Sequence, residues 1–325
     1  MRIVRHLSSF PYDLRGGAVV VGNFDGVHRG HQALILRCIE ESIELNGAAI
    51  ALTFEPHPRQ IFAPDSLPFR LTPFRSKAKL MRHFGVDVLA ALRFSRTLYE
   101  KSASDFVRQI LVDGLGARHL VVGYDFVFGK RRGGDVRLLR TMGIECGFEV
   151  TVLDPVAHGD DVYSSTIIRM NIQTGRVRRA ADLLGHWWEI QGKIRLGDRR
   201  GRDLGFPTAN LMLPYIALRP ALGVYAVYLG LDVKGKQKWY PGVANIGFRP
   251  TFGGKSITLE VHLFDFDDDI YGRNARVAFV EFLRPEMKFE GIDQIKSKIR
   301  SDCLKAQEVL ATGSNQISEF HEVSV

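Results

Sequence analysis

A chain of 325 residues exceeds the roughly 250–300 at which a single hydrophobic core stops growing, so two domains are the default; 45% hydrophobic and 25% charged residues describe ordinary globules. No apolar run approaches the roughly 18 residues of a membrane span, and MRIVRHLSSF lacks the apolar centre of a signal peptide, so a cytoplasmic protein with no membrane partner is expected. The net charge of +8 admits nucleic acid, but Arg131, Arg132, Arg199, Arg200 and Arg202 sit beside glycines in loops, which suits small phosphate-bearing ligands; Cys38, Cys146 and Cys303, odd in number and far apart, exclude a disulfide framework and read as structural.

In the first half, short β-branched runs alternate with helical patterns. Val19–Val21, Ile50–Thr53, Val86–Ala91, Leu120–Val122 and Val150–Leu153 read as buried strands. His31–Leu45, Ser76–Phe84, Ser104–Leu115 and Val136–Met142 read as helices between them. This alternation implies a doubly wound, Rossmann-like parallel sheet that binds ligands at the carboxyl ends of its strands. A helical stretch over Ser165–Leu184 follows, and the pattern then changes. Trp188–Arg195, Val224–Leu229, Lys238–Val243, Ile257–Phe264 and Arg276–Leu283 are strands without helices between them, an antiparallel β-barrel. A last helix near Ile292–Leu310 offers Ile295, Ile299 and Leu310 to cover one end of it. The domains are therefore set at 1–185 and 186–325.

Directly after the first strand stands Gly22-Asn23-Phe24-Asp25-Gly26-Val27-His28-Arg29-Gly30-His31, opening a helix. A strand, a glycine turn and a helix N-terminus present backbone N–H groups and a positive dipole end to a phosphate chain. His28 and His31, one turn apart, can both donate to that anion, and Gly30 permits close approach. In the second half, Gly197, Gly201 and Gly205 permit a loop that closes over phosphates, and Arg202 adds charge. The same segment ends in Pro207-Thr208-Ala209-Asn210, where Thr208 and Asn210 offer neutral oxygen ligands to Mg²⁺. Gly230 to Gln237 nearly spells a P-loop, but Gln237 stands where a Ser or Thr should bind Mg²⁺, and the segment joins two strands, so a hairpin turn is expected.

The turn Gly-x-Phe-Asp-Gly-x-His-x-Gly-His, with Gly22, Phe24, Asp25 and Gly30, resembles the FMN adenylyltransferase module of the prokaryotic bifunctional riboflavin kinase/FAD synthetases. Val122 to Gly129, with Asp125, resembles the second motif of that module, and Ser164-Ser165-Thr166 with Arg169 resembles the third, whose arginine reaches the ATP phosphates. Thr53 to Pro58 is similar to the family's flavin segment, which nominates Phe54, Pro56, Pro58, Phe62 and Phe128 for the isoalloxazine ring, although core packing suits each phenylalanine equally. The Pro-Thr-Ala-Asn segment resembles the riboflavin kinase signature, and Leu259 to Phe266 matches the strand whose glutamate, here Glu260, is the general base. Without the neighbouring motifs, Glu260 reads as the wet face of an amphipathic strand. Leu283 to Phe289 completes the resemblance, with Arg284 on the flavin side.

The resemblance implies riboflavin, FMN and ATP as substrates and Mg²⁺ as cofactor; it names no nucleic acid and leaves the oligomeric state open. His186-Trp187-Trp188 stands where Pro-Tyr is usual, and Lys298 where glutamine is. Two rivals are weighed against it: a monofunctional nucleotidyltransferase for another phosphorylated acceptor, with a C-terminal binding domain, and an RNA-binding protein. The latter needs aromatic residues interleaved on a basic strand face, where Ile257–Phe264 carries Glu260.

Overall fold

The computed structural model describes residues 1–158, 161–197, 201, 204–251 and 254–313. They form two compact units, Met1–Ser66 with Pro73–Ser164, and Leu67–Thr72 with Ser165 onward.

The first unit holds a six-stranded parallel sheet of β1 (Arg2–Val4), β2 (Ala18–Val21), β3 (Ala49–Glu55), β4 (Val88–Arg93), β5 (His119–Gly123) and β6 (Glu149–Leu153). Its spatial order is β1-β4-β3-β2-β5-β6. The order reverses between β2 and β5, the topological switch point where the loops leaving two adjacent strands part and open a crevice. Side chains alternate across the sheet. Ala18 and Val20 pack under α1 (Arg29–Glu44), while Val19 and Val21 face the opposite layer. On the α1 side also lies α3 (Phe74–His83), which follows the short α2 (Pro58–Phe62). Beyond α4 (Arg96–Tyr99), the other layer is built from α5 (Ala103–Asp105) and α6 (Val136–Cys146). The helix expected over Ser104–Leu115 continues α5 as a π-helix, Phe106–Val112. The edge strand β1, three residues with one buried, carries too little pattern to be read from sequence.

The second unit opens with α7 (Ser165–Gln173) and α8 (Val177–Leu184). The single helical stretch expected here breaks at Gly175, whose φ of +81° favours glycine and whose added Cβ would meet the Phe282 ring at 3.1 Å. Both helices precede residue 186 yet cluster with the barrel, because Ala181 packs on its surface. The segment 67–72 belongs to this unit as well. Arg70 N–H donates to the Ile216 carbonyl at 3.0 Å, the Leu218 N–H donates to the Arg70 carbonyl at 2.9 Å, and the Trp188 indole N–H donates to the Leu71 carbonyl at 3.0 Å.

The short hairpin strands β7 (Ala157–His158) and β8 (Asp161–Val162) end the first unit. The barrel comprises β9 (Glu189–Arg195), β10 (Ala209–Met212), β11 (Gly223–Val233), β12 (Lys236–Thr251), β13 (Gly254–Leu263) and β14 (Asn274–Pro285), closed in the order β10-β13-β12-β11-β14-β9. Cross-strand register gathers Ile190, Leu211, Val227, Ile246, Val261 and Phe279 on its inner face, all buried. The near P-loop is the β11–β12 hairpin, with Val233 paired to Lys236 and φ of +54° and +81° at Lys234 and Gly235.

The terminal helix, α9 (Ile292–Gly313), corrects an expectation: it lies along the outer face of the barrel instead of over one end. Ala306 and Leu310 pack there with Val224, Ala226, Tyr228 and Val280, and the Tyr228 hydroxyl donates to the Leu310 carbonyl at 3.0 Å. Ile295 and Ile299 are only half-buried. Trp187 joins this outer cluster while Trp188 turns inward against Phe279, so both departures from the family pattern serve packing.

Burial pushes the Cys38 thiol up to about 12 and the Cys303 thiol up to about 11. A raised thiol pKa leaves the unreactive protonated form dominant at pH 8. Native protein treated with iodoacetamide at pH 8 is expected to leave Cys38 unmodified, whereas unfolded protein takes up label at all three cysteines, as peptide mass spectrometry would read out.

Candidate active sites

The first site lies at the switch point. The turn after β2 places Phe24 and Val27 at φ of +48° and +44°, conformations that side chains avoid, and both are fully buried, so packing holds the strain. His28 is the N-cap of α1: its Nδ1 accepts the His31 backbone N–H at 3.3 Å. An accepting Nδ1 leaves the ring proton on Nε2, which makes Nε2 a donor. The two imidazoles stack, with centroids 3.6 Å apart and planes 21° from parallel. An added Cβ at Gly30 would meet the His28 ring at 3.3 Å, and at Gly22 the Phe24 ring at 3.0 Å. Asp25 is buried. Asp125 follows β5, the other strand of the switch point, and is exposed.

Next along the same edge runs a band of aromatic rings. Phe54 meets Phe94 at 5.8 Å and Phe106 at 6.4 Å, Phe106 meets Phe128 at 5.6 Å, and Phe62 meets Phe94 at 5.6 Å and Tyr99 at 5.3 Å. Phe128 is built into the core at 7% exposure, while Phe62 stands 65% exposed. Pro56 and Pro58 frame His57, which caps α2. Sequence reasoning missed Phe94 and Tyr99, which lie outside any motif; their positions just past β4 were the available signal. Of the basic run after Phe128, Lys130 pairs with Glu100 at 2.7 Å, and this contact holds the Glu100 carboxyl below its usual range.

Ser164 ends the first unit, and Ser165, Thr166 and Arg169 begin the second. The Arg169 Nε donates to the Phe69 carbonyl at 2.8 Å, and its guanidinium lies 5.6 Å from the Phe69 ring centre.

The second site is on the outer face of the barrel. Register sets Asn210 of β10 directly opposite Glu260 of β13, and Glu260 directly opposite Asn245 of β12. Residues paired in this way project to one face with their Cβ atoms about 5 Å apart. The Asn210 side-chain amide donates to the Thr208 carbonyl at 3.4 Å, which orients the amide with Oδ1 as its acceptor. The glycines close on this pair: an added Cβ at Gly197 would lie 2.4 Å from the Asn210 amide, and at Gly201 it would lie 2.4 Å from the Phe206 carbonyl and 3.4 Å from Thr208 Oγ1. Gly205 takes a φ of +87°. Sequence reasoning also missed His262, whose Nδ1–H donates to the Pro207 carbonyl at 2.9 Å and whose ring meets Phe206 edge-on, fixing the loop to the strand that carries Glu260. Arg202, with Arg199 and Arg200, lies outside the described residues. Arg284 is held by Asp302 of α9, Nε to Oδ2 at 2.8 Å, and Lys298 approaches the same carboxylate at 3.5 Å.

Phosphate-directed turns on two unrelated folds define a two-module transferase that draws on ATP. Comparison with known proteins narrows the class. The FAD synthetase family matches residues 11–167 and the riboflavin kinase family residues 184–310. A bifunctional riboflavin kinase/FMN adenylyltransferase of Escherichia coli K12 is 41% identical over 309 residues, 95% of this chain and 96% of that one. Its counterpart in Pseudomonas fluorescens is 40% identical over 317 residues, 97% of this chain and 100% of that one. A crystal structure described as a macrolide-efflux protein from Streptococcus pneumoniae superposes with a TM-score of 0.83 at 29% identity, covering 92% of this chain and 96% of that one. That description stays with the other protein; among the described residues here, no helix is long and apolar enough to cross a membrane.

The chain belongs to the bifunctional riboflavin kinase/FMN adenylyltransferase family and has both activities. The riboflavin kinase match over the second half answers the monofunctional rival. Gly201→Ala is expected to clash with the Phe206 carbonyl, displace the loop and cut FMN formation by roughly 10²-fold, the scale of a 1 Å misplacement, while FAD formation from supplied FMN continues; separate assays of the two steps check this.

Proposed function

We propose that adenylyl transfer takes place at the carboxyl edge of the parallel sheet and phosphoryl transfer on the outer face of the barrel, in the cytoplasm, with the machinery divided at residues 1–185 and 186–325. The reading rests on one observation: each candidate reacting group sits with its own glycine turn, His28 stacked on His31 and Glu260 paired with Asn210.

In the kinase step, Glu260 takes the proton of the ribityl 5′-hydroxyl of riboflavin as that oxygen attacks the γ-phosphorus of ATP. The bond to the β-phosphate oxygen breaks, and FMN and ADP result. The glycine loop, with Arg202, covers the phosphates. Thr208 Oγ1 and Asn210 Oδ1 are neutral oxygen donors. As neutral oxygens they would hold Mg²⁺ together with the nucleotide phosphates. Mg²⁺, when bound, neutralises charge on the transferred phosphate. Arg284, fixed by Asp302, would stand on the flavin side.

In the adenylylation step a phosphate oxygen of FMN attacks the α-phosphorus of ATP, and pyrophosphate leaves. His28 Nε2–H, His31 and the α1 N-terminus donate to the phosphate oxygens, Gly22, Phe24, Asp25 and Gly30 shape the turn, and Asp125 borders it. Ser164, Ser165, Thr166 and Arg169 serve the rest of the triphosphate. Phe54, Pro56, Pro58, Phe62 and Phe128, joined by Phe94 and Tyr99, offer the apolar wall for the isoalloxazine ring.

Purified protein given riboflavin, ATP and Mg²⁺ is expected to accumulate FMN before FAD on chromatography. His28→Ala or His31→Ala is expected to abolish FAD formation and spare FMN formation; equal loss of both in a folded variant would refute the division. Glu260→Gln is expected to slow FMN formation by about 10²–10⁴, the range for a lost general base, and leave conversion of supplied FMN intact.

A further inference from the structure

Lys77 lies in the first turn of α3 with its side chain wholly excluded from solvent. Both features disfavour a cation: burial strips its hydration, and the positive end of the helix dipole repels it. Its contacts compensate. The ammonium donates to the Asn23 carbonyl at 2.7 Å, to Thr53 Oγ1 at 3.3 Å and to Glu55 Oε1 at 3.3 Å. The Thr53 hydroxyl itself donates to the same Asn23 carbonyl at 3.3 Å. Three elements therefore converge on one peptide: α3, the end of β3, and the turn after β2.

That peptide joins Asn23 to Phe24, the first residue forced into positive φ in the turn that leads to His28. In a planar trans peptide, fixing the carbonyl direction also fixes the opposed Phe24 N–H. A turn with strained Phe24 and Val27 has lower-energy alternatives, and a charge-assisted hydrogen bond is the stronger kind of restraint against them. Glu55 alone does not explain the lysine, because the shortest of the three contacts is to the carbonyl and not to the carboxylate.

We propose that Lys77 is a positioning residue for adenylyl transfer, clamping the Asn23 carbonyl and so holding the turn that carries His28 in its binding conformation. The inference rests on placing adenylyl transfer at that turn, which His28→Ala tests separately. Lys77→Met keeps the length of the side chain and removes the ammonium. It is expected to lower kcat for FAD formation from FMN by 10- to 100-fold and raise KM for ATP, with the riboflavin kinase rate of the same chain within twofold of the parent. Glu55→Gln/Lys77→Met also removes the carboxylate that Lys77 paired with. It is expected to regain the thermal stability lost in the single variant and not the FAD-forming rate, whereas a merely structural lysine would regain both together. Full recovery in the double variant, or a folded Lys77→Met that forms FAD within threefold of the parent rate, would overturn the proposal. Should Lys77→Met fail to fold, the rate of the double variant decides alone. Loss in Lys77→Met combined with full activity in His28→Ala would instead remove the underlying site assignment.

Discussion

A slip of one residue between β10 and β13 would carry Glu260 from the outer face of the barrel to its interior and bring Leu259 or Val261 out. Because side chains alternate with a period of two, register is all or nothing. Here it is fixed by the unbroken inner row of buried residues, among them Leu211, Ile246 and Val261. The geometry of the Glu260 face follows from burying that row. Asn210, Glu260 and Asn245 stand side by side because their neighbours in sequence could not be exposed. The parallel sheet works by the same constraint: β2 and β3 run in register, Val21 beside Leu52, and so bring Asn23, Thr53 and Glu55 within reach of one ammonium.

The two sites meet a common electrostatic problem by different means. A triphosphate must lose water and gain hydrogen-bond donors without admitting bulky side chains between itself and the backbone. At the sheet, the turn offers the start of a 16-residue helix and two imidazoles, one already oriented by its capping bond. At the barrel, a glycine loop is fastened to β13 through His262. In both, glycines and caps stand beside the titratable groups, the arrangement that catalysis by positioning and charge stabilisation asks for.

Much of this was legible in the residues. The β-α alternation and its replacement by bare strands gave the architecture, because buried parallel strands and amphipathic helices leave different periods. His28 and His31 were visible because three positions on a helix bring side chains together; Glu260 was visible only through the motifs around it, since its own alternation reads as the wet face of a strand. What escaped depended on distant partners. β10 is hidden in a segment rich in glycine and proline, and only its pairing with β13 makes it a strand. Lys77 reads as one more polar position on an amphipathic helix; its meaning comes from Asn23, 54 residues earlier in the chain. The terminal helix showed its apolar residues, but Ala306, small and weakly hydrophobic, was the one buried most deeply against the barrel surface, so the docking face was misread.

Residues 67–72 are made early and used late. During translation this hexapeptide leaves the ribosome well before the Trp188 indole that caps the Leu71 carbonyl, which follows 117 positions later. At about 5–20 residues per second, the interval is about 6–23 s. For that time Phe69 and Leu71, both buried in the finished protein, wait for the later residues of the unit to which they belong. Gene order thus imposes a schedule: the earlier module cannot seal its own sequence completely, and the later one is completed by a piece synthesised before it began.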